Sequence, residues 1–339
     1  MKKLTTTLLI GALFAANVYG YGARGHGLVG AVADKRLASN TAIKTKVSTI
    51  LDGLTLQQAA TLPDSIKTWD SSPNGFHVTG HPAIEAQLRA FVKANPAKGQ
   101  PSHHEFHYTD VPVFGDEKYA GGTVGRPQFD IVHMIPFCIR VLKGEEPETN
   151  GRAITRAVAV ILLAHYLGDI HQPLHVGAEY FSSTGQPFEP TAANHGFEDQ
   201  GGNKLSLFLL SNGKSVSAGA LHGYWDGQAV TTAFGNTPDA QVAQRLANGQ
   251  PPNWKLNGGA ETWAEQMAND ILPIAREAHT RLAFTQIKLK AGSRDITSGK
   301  ATEKKTNGLS YKFFAGTIAA NEIQKAGWRL AAVLEEALK

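Results

Sequence analysis

The chain has 339 residues, 42% of them hydrophobic, enough to bury a substantial core in one large domain or two smaller ones. Its formal charge of +4 falls to +2 once Lys2 and Lys3 are set aside, a mild excess that offers no polybasic face for tracking along duplex DNA. Cys138 is the single cysteine, which excludes an intramolecular disulfide and leaves it to pack as a small hydrophobe.

Residues 1–20 read as a secretory signal peptide: Lys2 and Lys3, an apolar run over 4–16, then Val18 and Gly20 as small residues at a cleavage point after Gly20. That run is too short to span a membrane, and no later segment is long and apolar enough to do so. The expectation is an exported protein, secreted or periplasmic, with no membrane insertion and residues 21–339 forming one domain. Cleavage would free the amine of Tyr21, which can chelate a metal ion together with its own carbonyl, while His26 follows five residues on. The alternative is a loose new terminus carrying a surface histidine.

Helical periodicity follows over 27–37, 41–51, 83–94, 129–143, 153–167, 239–246, 261–282 and 309–338, which predicts an all-α, single multi-helix domain. Residues 204–210, KLSLFLL, are the best strand candidate and could form one short β-hairpin. Loops over 70–81, 97–104 and 179–199 interrupt the pattern, and no internal repeat is visible.

Chemistry concentrates where the helix over 153–167 ends. That segment is apolar nearly all round, which marks a buried helix, yet it closes on His165 with Asp169 four residues later and His175 beyond a proline. Ligands four apart share one helix face and can meet on one ion. His222 and Asp226 repeat the spacing. One such pair is as easily a histidine satisfied inside a core, but two pairs plus His175 point to a polynuclear zinc site. Asp64 in PDSIK is either a ligand or a helix N-cap. His107 competes with His103 and His104 in SHHEFHY. His171 is a spare ligand or a supporting residue, and His77, His81, His133, His195 and His279 read as surface or core residues.

Seven ordered segments then carry a resemblance: YGARGH at 21–26, PDSIK at 63–67, FHYTDVP at 106–112, HYLGDIHQPLH at 165–175, DQGGNK at 199–204, LHGYWD at 221–226 and AGWRLA at 326–331. Together they resemble the class I nuclease family, zinc-dependent single-strand-specific nucleases and 3′-nucleotidases that share the fold of zinc-dependent phospholipase C. The resemblance implies a trinuclear cleft holding three Zn²⁺. Asp64, His107, His165 and a bridging Asp169 would hold one ion, and Asp169, the Tyr21 amine and carbonyl and His26 a second. His175, His222 and Asp226 would hold the third.

Lys67 falls where the family carries an arginine, so charge is kept while a bidentate fork is lost. Tyr21 replaces the usual tryptophan, a tolerable change because backbone atoms ligate. Tyr108 would stack on a nucleobase, Asp110 would bond its edge and Asn203 would lie beside the phosphate. The implied reaction is attack on phosphorus by water that Asp64 orients, with departure of the 3′ oxygen to leave a 5′-phosphate. Substrates would be single-stranded DNA, RNA and 3′-mononucleotides, and the protein a monomer. Two rivals are phospholipase C, whose third zinc site uses glutamate where Asp226 stands, and an exported zinc-storage protein, which has no use for Tyr108, Lys67 or Asn203.

Overall fold

The computed structural model describes residues 21–305 and 308–339, so the expected signal peptide lies outside the described residues. Helix α1 (Gly22–Arg36) begins earlier than periodicity suggested, because Gly22, Gly25 and Gly27 mask the apolar repeat; Lys35 and Arg36 in its last turn suit the negative end of the helix dipole. Helix α2 (Thr41–Ile50) starts at Asn40, whose side chain accepts the Ile43 N–H at 3.3 Å. Two short helices follow that no periodicity could reveal. These are α3 (Leu56–Ala59), closed by a Thr55–Gln58 capping box, and α4 (Leu62–Ser65), which runs on into a 3-10 turn over Ile66–Asp70.

After α5 (Pro82–Ala94) the chain crosses toward the interior through a 3-10 turn, Glu105–His107, and strand β1 (Val111–Pro112). Asp130 caps α6 (Ile131–Lys143) and Thr155 caps α7 (Arg156–Asp169). Every residue of α7 from Ala157 to Asp169 is buried, as its all-round apolar sequence requires. A 3-10 turn, Pro173–His175, leads into β2 (Gly177–Ala178), which pairs in parallel with β1, and β3 (Tyr180–Phe181), which pairs with β4 (Phe197–Glu198).

Strands β5 (Leu205–Ser211) and β6 (Lys214–Ala220) form the hairpin expected from residues 204–210. The chain then turns helical again in α8 (Leu221–Gly223), a π-helical segment over Tyr224–Ala229, α9 (Val230–Phe234), α10 (Asp239–Asn248) and α11 (Trp263–Thr280). Strands β7 (Leu282–Leu289) and β8 (Ile296–Glu303) precede the long α12 (Tyr311–Ala337).

The helix-rich expectation holds, but the single hairpin it allowed is corrected here. A four-stranded sheet in the order β6-β5-β8-β7 stands beside the helices, with β8 parallel to β5 and antiparallel to β7. Two of its strands carry few large apolar residues: ITSGKATE in the inner strand β8 and KSVSAGA in the edge strand β6 hold their place by backbone ladders, which leave no periodic trace. Helix α7 runs through the centre with α1, α6 and α12 packed on it. One buried apolar cluster extends from Tyr21 to Leu338. Among the described residues no helix is long and apolar enough to cross a membrane.

Candidate metal centre

The last turn of α7 presents His165 and Asp169 on one face. His165 Nδ1 lies 2.7 Å from the Ala60 carbonyl, and because a carbonyl only accepts, the ring proton sits on Nδ1 and the lone pair on Nε2. That Nε2 faces Asp169 Oδ2 at 3.0 Å, His107 Nδ1 at 3.0 Å and Asp64 Oδ1 at 3.7 Å. His107 Nδ1 is in turn 2.9 Å from Asp169 Oδ2. From α1, His26 stacks on His165 with ring centres 3.7 Å apart and brings Nε2 to 3.2 Å from Asp169 Oδ1. Gly168 makes this approach possible: a β-carbon there would lie 2.6 Å from His26 Nδ1. The N-cap alternative for Asp64 does not hold, since the cap position belongs to Thr61 and Asp64 lies within the turn.

A second group lies alongside. His175 Nδ1 donates to the His107 carbonyl at 2.8 Å and His222 Nδ1 to the Gly201 carbonyl at 2.7 Å, so both Nε2 atoms carry lone pairs. They face each other at 3.2 Å, with Asp226 Oδ2 3.6 Å from His222 Nε2. Asp226 is fixed from behind by Gln172, whose Nε2 donates to its Oδ1 at 2.9 Å. His222 and Asp226 straddle the junction of α8 with the π-helical segment, a backbone form that recurs at functional sites. Gly201 adopts φ +55°, and a β-carbon there would come within 2.2 Å of the Leu174 carbonyl, so the Gly-Gly pair is what lets this carbonyl reach His222.

Burial and charge give these groups the chemistry of a cation site. Three carboxylates, Asp64, Asp169 and Asp226, are buried together. Burial, followed by the Asp64 and Asp169 charges, pushes Asp226 well above the usual range. Burial would also raise Asp64 and Asp169, but the surrounding charges win: Lys67 and His165 bring Asp64 down to about 2, and His165, His175 and His26 hold Asp169 well below the usual range. Burial and then His175 lower His222 to about 3, so its ring is neutral and free to ligate at neutral pH. Both nitrogens of His26, Asp169 Oδ1 and Asp226 Oδ2 are buried without a hydrogen-bond partner. Two imidazole nitrogens bound to one tetrahedral zinc would be about 3.3 Å apart. The facing pairs here, at 3.0 and 3.2 Å, fit that ion.

Tyr21 is fully buried and its hydroxyl donates to the His171 carbonyl at 2.8 Å. Its own carbonyl already accepts the Gly25 N–H at 3.0 Å, which leaves one lone pair. A β-carbon at Gly22 would approach the Asp226 carbonyl to 3.1 Å, so the start of α1 lies beside the second group. His171 has both ring nitrogens engaged, by the Leu167 carbonyl and Arg329, and is thereby a support and no ligand.

The ligand groups open onto a cleft of about 480 Å³. Lys67, Tyr108, Asp110 and Asn203 all line it, as does Glu198, which the sequence did not single out. Lys67 Nζ pairs with Asp64 Oδ1 at 2.8 Å, and Asn203 Nδ2 donates to the Gln200 carbonyl at 2.8 Å. Burial, reinforced by Glu198, Asp199 and Asp295, pushes Asp110 well up, and the same kind of crowding brings Glu198 to about 7. Gln172 was equally unforeseen; its only signal was a place between His171 and His175.

Residues 21–339 match the family description S1/P1 Nuclease. The chain is also 27% identical over 192 residues to Endonuclease 1 of Arabidopsis thaliana, an alignment that takes in 55% of this chain and 51% of that protein. It thus spans about half the length of this curated relative. With the match running over the whole described length, the chain belongs to the S1/P1 nuclease family.

Proposed function

We propose that this nuclease is an exported, monomeric, zinc-dependent phosphodiesterase that cuts single-stranded DNA and RNA at the P–O3′ bond, leaves 5′-phosphates, and also acts on 3′-mononucleotides. One observation carries the reading: the Nε2 atoms of His165, His175 and His222, whose ring protons are committed to backbone carbonyls, face other imidazole nitrogens across gaps of zinc size, beside three buried carboxylates. S1/P1 nucleases are zinc enzymes. Asp64, His107, His165 and Asp169 would hold one ion, and Asp169, His26 and the Tyr21 amine and carbonyl another. His175, His222 and Asp226 would hold the third. Bound zinc supplies Lewis acidity toward phosphate oxygens and makes water acidic enough to ionise near neutral pH.

The side chains do the rest. Asp64, kept ionised by Lys67, accepts a hydrogen bond from the attacking water and aims it at phosphorus. Lys67 offsets charge gathering on the phosphate. Tyr108 stacks on an unpaired base, a contact of about 1–3 kcal/mol that a paired base cannot make. Asp110, its carboxyl pushed up by burial and then by the neighbouring carboxylates, faces the base edge as a group that can donate when protonated as well as accept. Asn203 has one amide hydrogen beyond the bond to Gln200 and can give it to a phosphate oxygen.

The test incubates zinc-loaded mature protein with single-stranded DNA, RNA, duplex DNA, a 3′-mononucleotide and phosphatidylcholine. Hydrolysis of the first two and the mononucleotide, with 5′-phosphate ends, little action on duplex and none on lipid, is expected. Hydrolysis confined to the lipid, or undiminished by exhaustive chelation, refutes the reading. Terminal sequencing must find Tyr21 first, and gel filtration one chain per particle.

A further inference from the structure

Two histidines stand just outside the proposed centre and take no part in it. Neighbouring side chains on an extended chain point to opposite faces, yet His103 and His104 both turn toward Asp70. Their Nε2 atoms lie 3.3 and 2.6 Å from its Oδ2. A tight turn makes this possible: the His103 N–H donates to the Asn95 carbonyl at 3.0 Å, and the His104 N–H to Ser102 Oγ at 3.2 Å. Asp70 closes the 3-10 turn that also carries Lys67, and His104 lines the cleft.

One carboxylate needs one histidine to be paired. The His103 ring is the costly one: it is buried, its Nε2 meets Asp70 Oδ1 at only 3.4 Å, and its Nδ1 has no hydrogen-bond partner. Burial and the adjacent His104 lower His103 to about 4, so the ring is a neutral imidazole under ordinary conditions. All three ligand atoms lie within 4.8 Å of one another, the same compactness as in the three buried groups.

We propose that Asp70, His103 and His104 form a separate metal site at the rim of the cleft, taking one divalent transition ion of the zinc class. It binds more weakly than the buried groups, because the His104 side chain is 43% exposed and that of Asp70 21%. Three protein ligands leave a tetrahedral ion one position for water or a phosphate oxygen. Resting on the nuclease reading, the consequence is that this position receives a second phosphate of a bound strand, which a mononucleotide lacks.

Equilibrium dialysis over a range of buffered free zinc, with wild type, His104→Ala and Asp70→Asn, tests the site directly. His104 is exposed and asparagine keeps the shape of Asp70, so both variants should fold, which their melting curves verify. The wild type is expected to bind one zinc more than either variant, at a free zinc concentration above that which fills the tight sites. The variants' affinity for that last ion should fall about tenfold or more. Equal stoichiometry in all three proteins overturns the proposal and leaves a plain Asp–His ion pair. Loss of more than one ion also overturns it, since the cluster would then belong to the buried centre. The difference between wild type and variant is read whatever the total, so the three-zinc reading can fail independently.

Discussion

Gly168 sits between two proposed ligands, and replacing it with alanine tests the centre without removing any of them. An added β-carbon would lie 2.6 Å from His26 Nδ1 and 3.0 Å from its Cε1, where ordinary contact begins at 3.4 Å. His26 must therefore retreat by roughly 0.8 Å, several times the ±0.2 Å that metal–ligand distances allow. It has nowhere easy to go, being fully buried and stacked on His165 at 3.7 Å. Overpacking of this kind costs about 1–3 kcal/mol, while alanine in a helix interior returns up to about 1 kcal/mol. The net loss of stability is small and the protein should stay folded.

The loss should instead appear in the metal content. Zinc per molecule, measured by atomic emission after gel filtration, should fall by about one equivalent, and hydrolysis of single-stranded DNA by about tenfold or more. Gly223→Ala is the control. It makes the same chemical change beside His222, but nothing lies within 4 Å of its added β-carbon, so zinc and rate should stay at wild-type values. Full zinc content and normal turnover in a folded Gly168→Ala would refute the placement of His26 as a ligand.

Asp169→Asn removes the charge shared between two ligand groups, so turnover should vanish and two ions should leave together; retained zinc with normal rates in that variant counts against a bridging carboxylate. Tyr108→Ala should raise KM for single strands about 5- to 150-fold, the equivalent of 1–3 kcal/mol of stacking, with kcat nearly unchanged; a fall in kcat alone speaks against stacking. Glu179 is pushed up to about 7 by burial and Asp199, against which His279 acts. A raised carboxyl costs the folded state nothing below its unfolded pKa of about 4.5, and progressively more up to about 7. Glu179→Gln should therefore gain in unfolding free energy relative to wild type as pH rises from about 4.5 to 7, by at most about 3 kcal/mol, then level off, as denaturant melts at each pH would show. A difference that does not change with pH refutes this.

The centre was legible where ligands share a regular element. His165 and Asp169 lie one helical turn apart on a helix too apolar to face water, and that contradiction is visible in the letters alone. Asp64 was ambiguous because its turn, α4, has only four residues. The carbonyls of Ala60, His107 and Gly201, which set the histidine tautomers, could not be read at all: every residue has a carbonyl, and only the fold selects which one is used. The sheet was missed for the same reason. Strand β8 pairs with β5 across about ninety residues of chain, and β6 is largely exposed, so neither has to be apolar.

The bonds that orient the proposed ligands also bear on what would hold this part of the molecule together. No disulfide is available, since Cys138 is the lone cysteine, yet the proposed ligands run from Tyr21 to Asp226 and come from helices, 3-10 turns and a π-helical junction. Each element brings a buried carboxylate or a ring nitrogen that is unfavourable in an apolar interior by itself. A cation shared as proposed would turn each facing pair of nitrogen lone pairs from repulsive to cohesive. Binding free energy at such a site is also folding free energy. The π-helical turn under Asp226 and the close approach at Gly201, which a glycine at φ +55° allows, are backbone forms that an apolar core gives no reason to keep. Both converge on His222, so on the proposed metal reading the ligand geometry, and not apolar packing, would set the local backbone there.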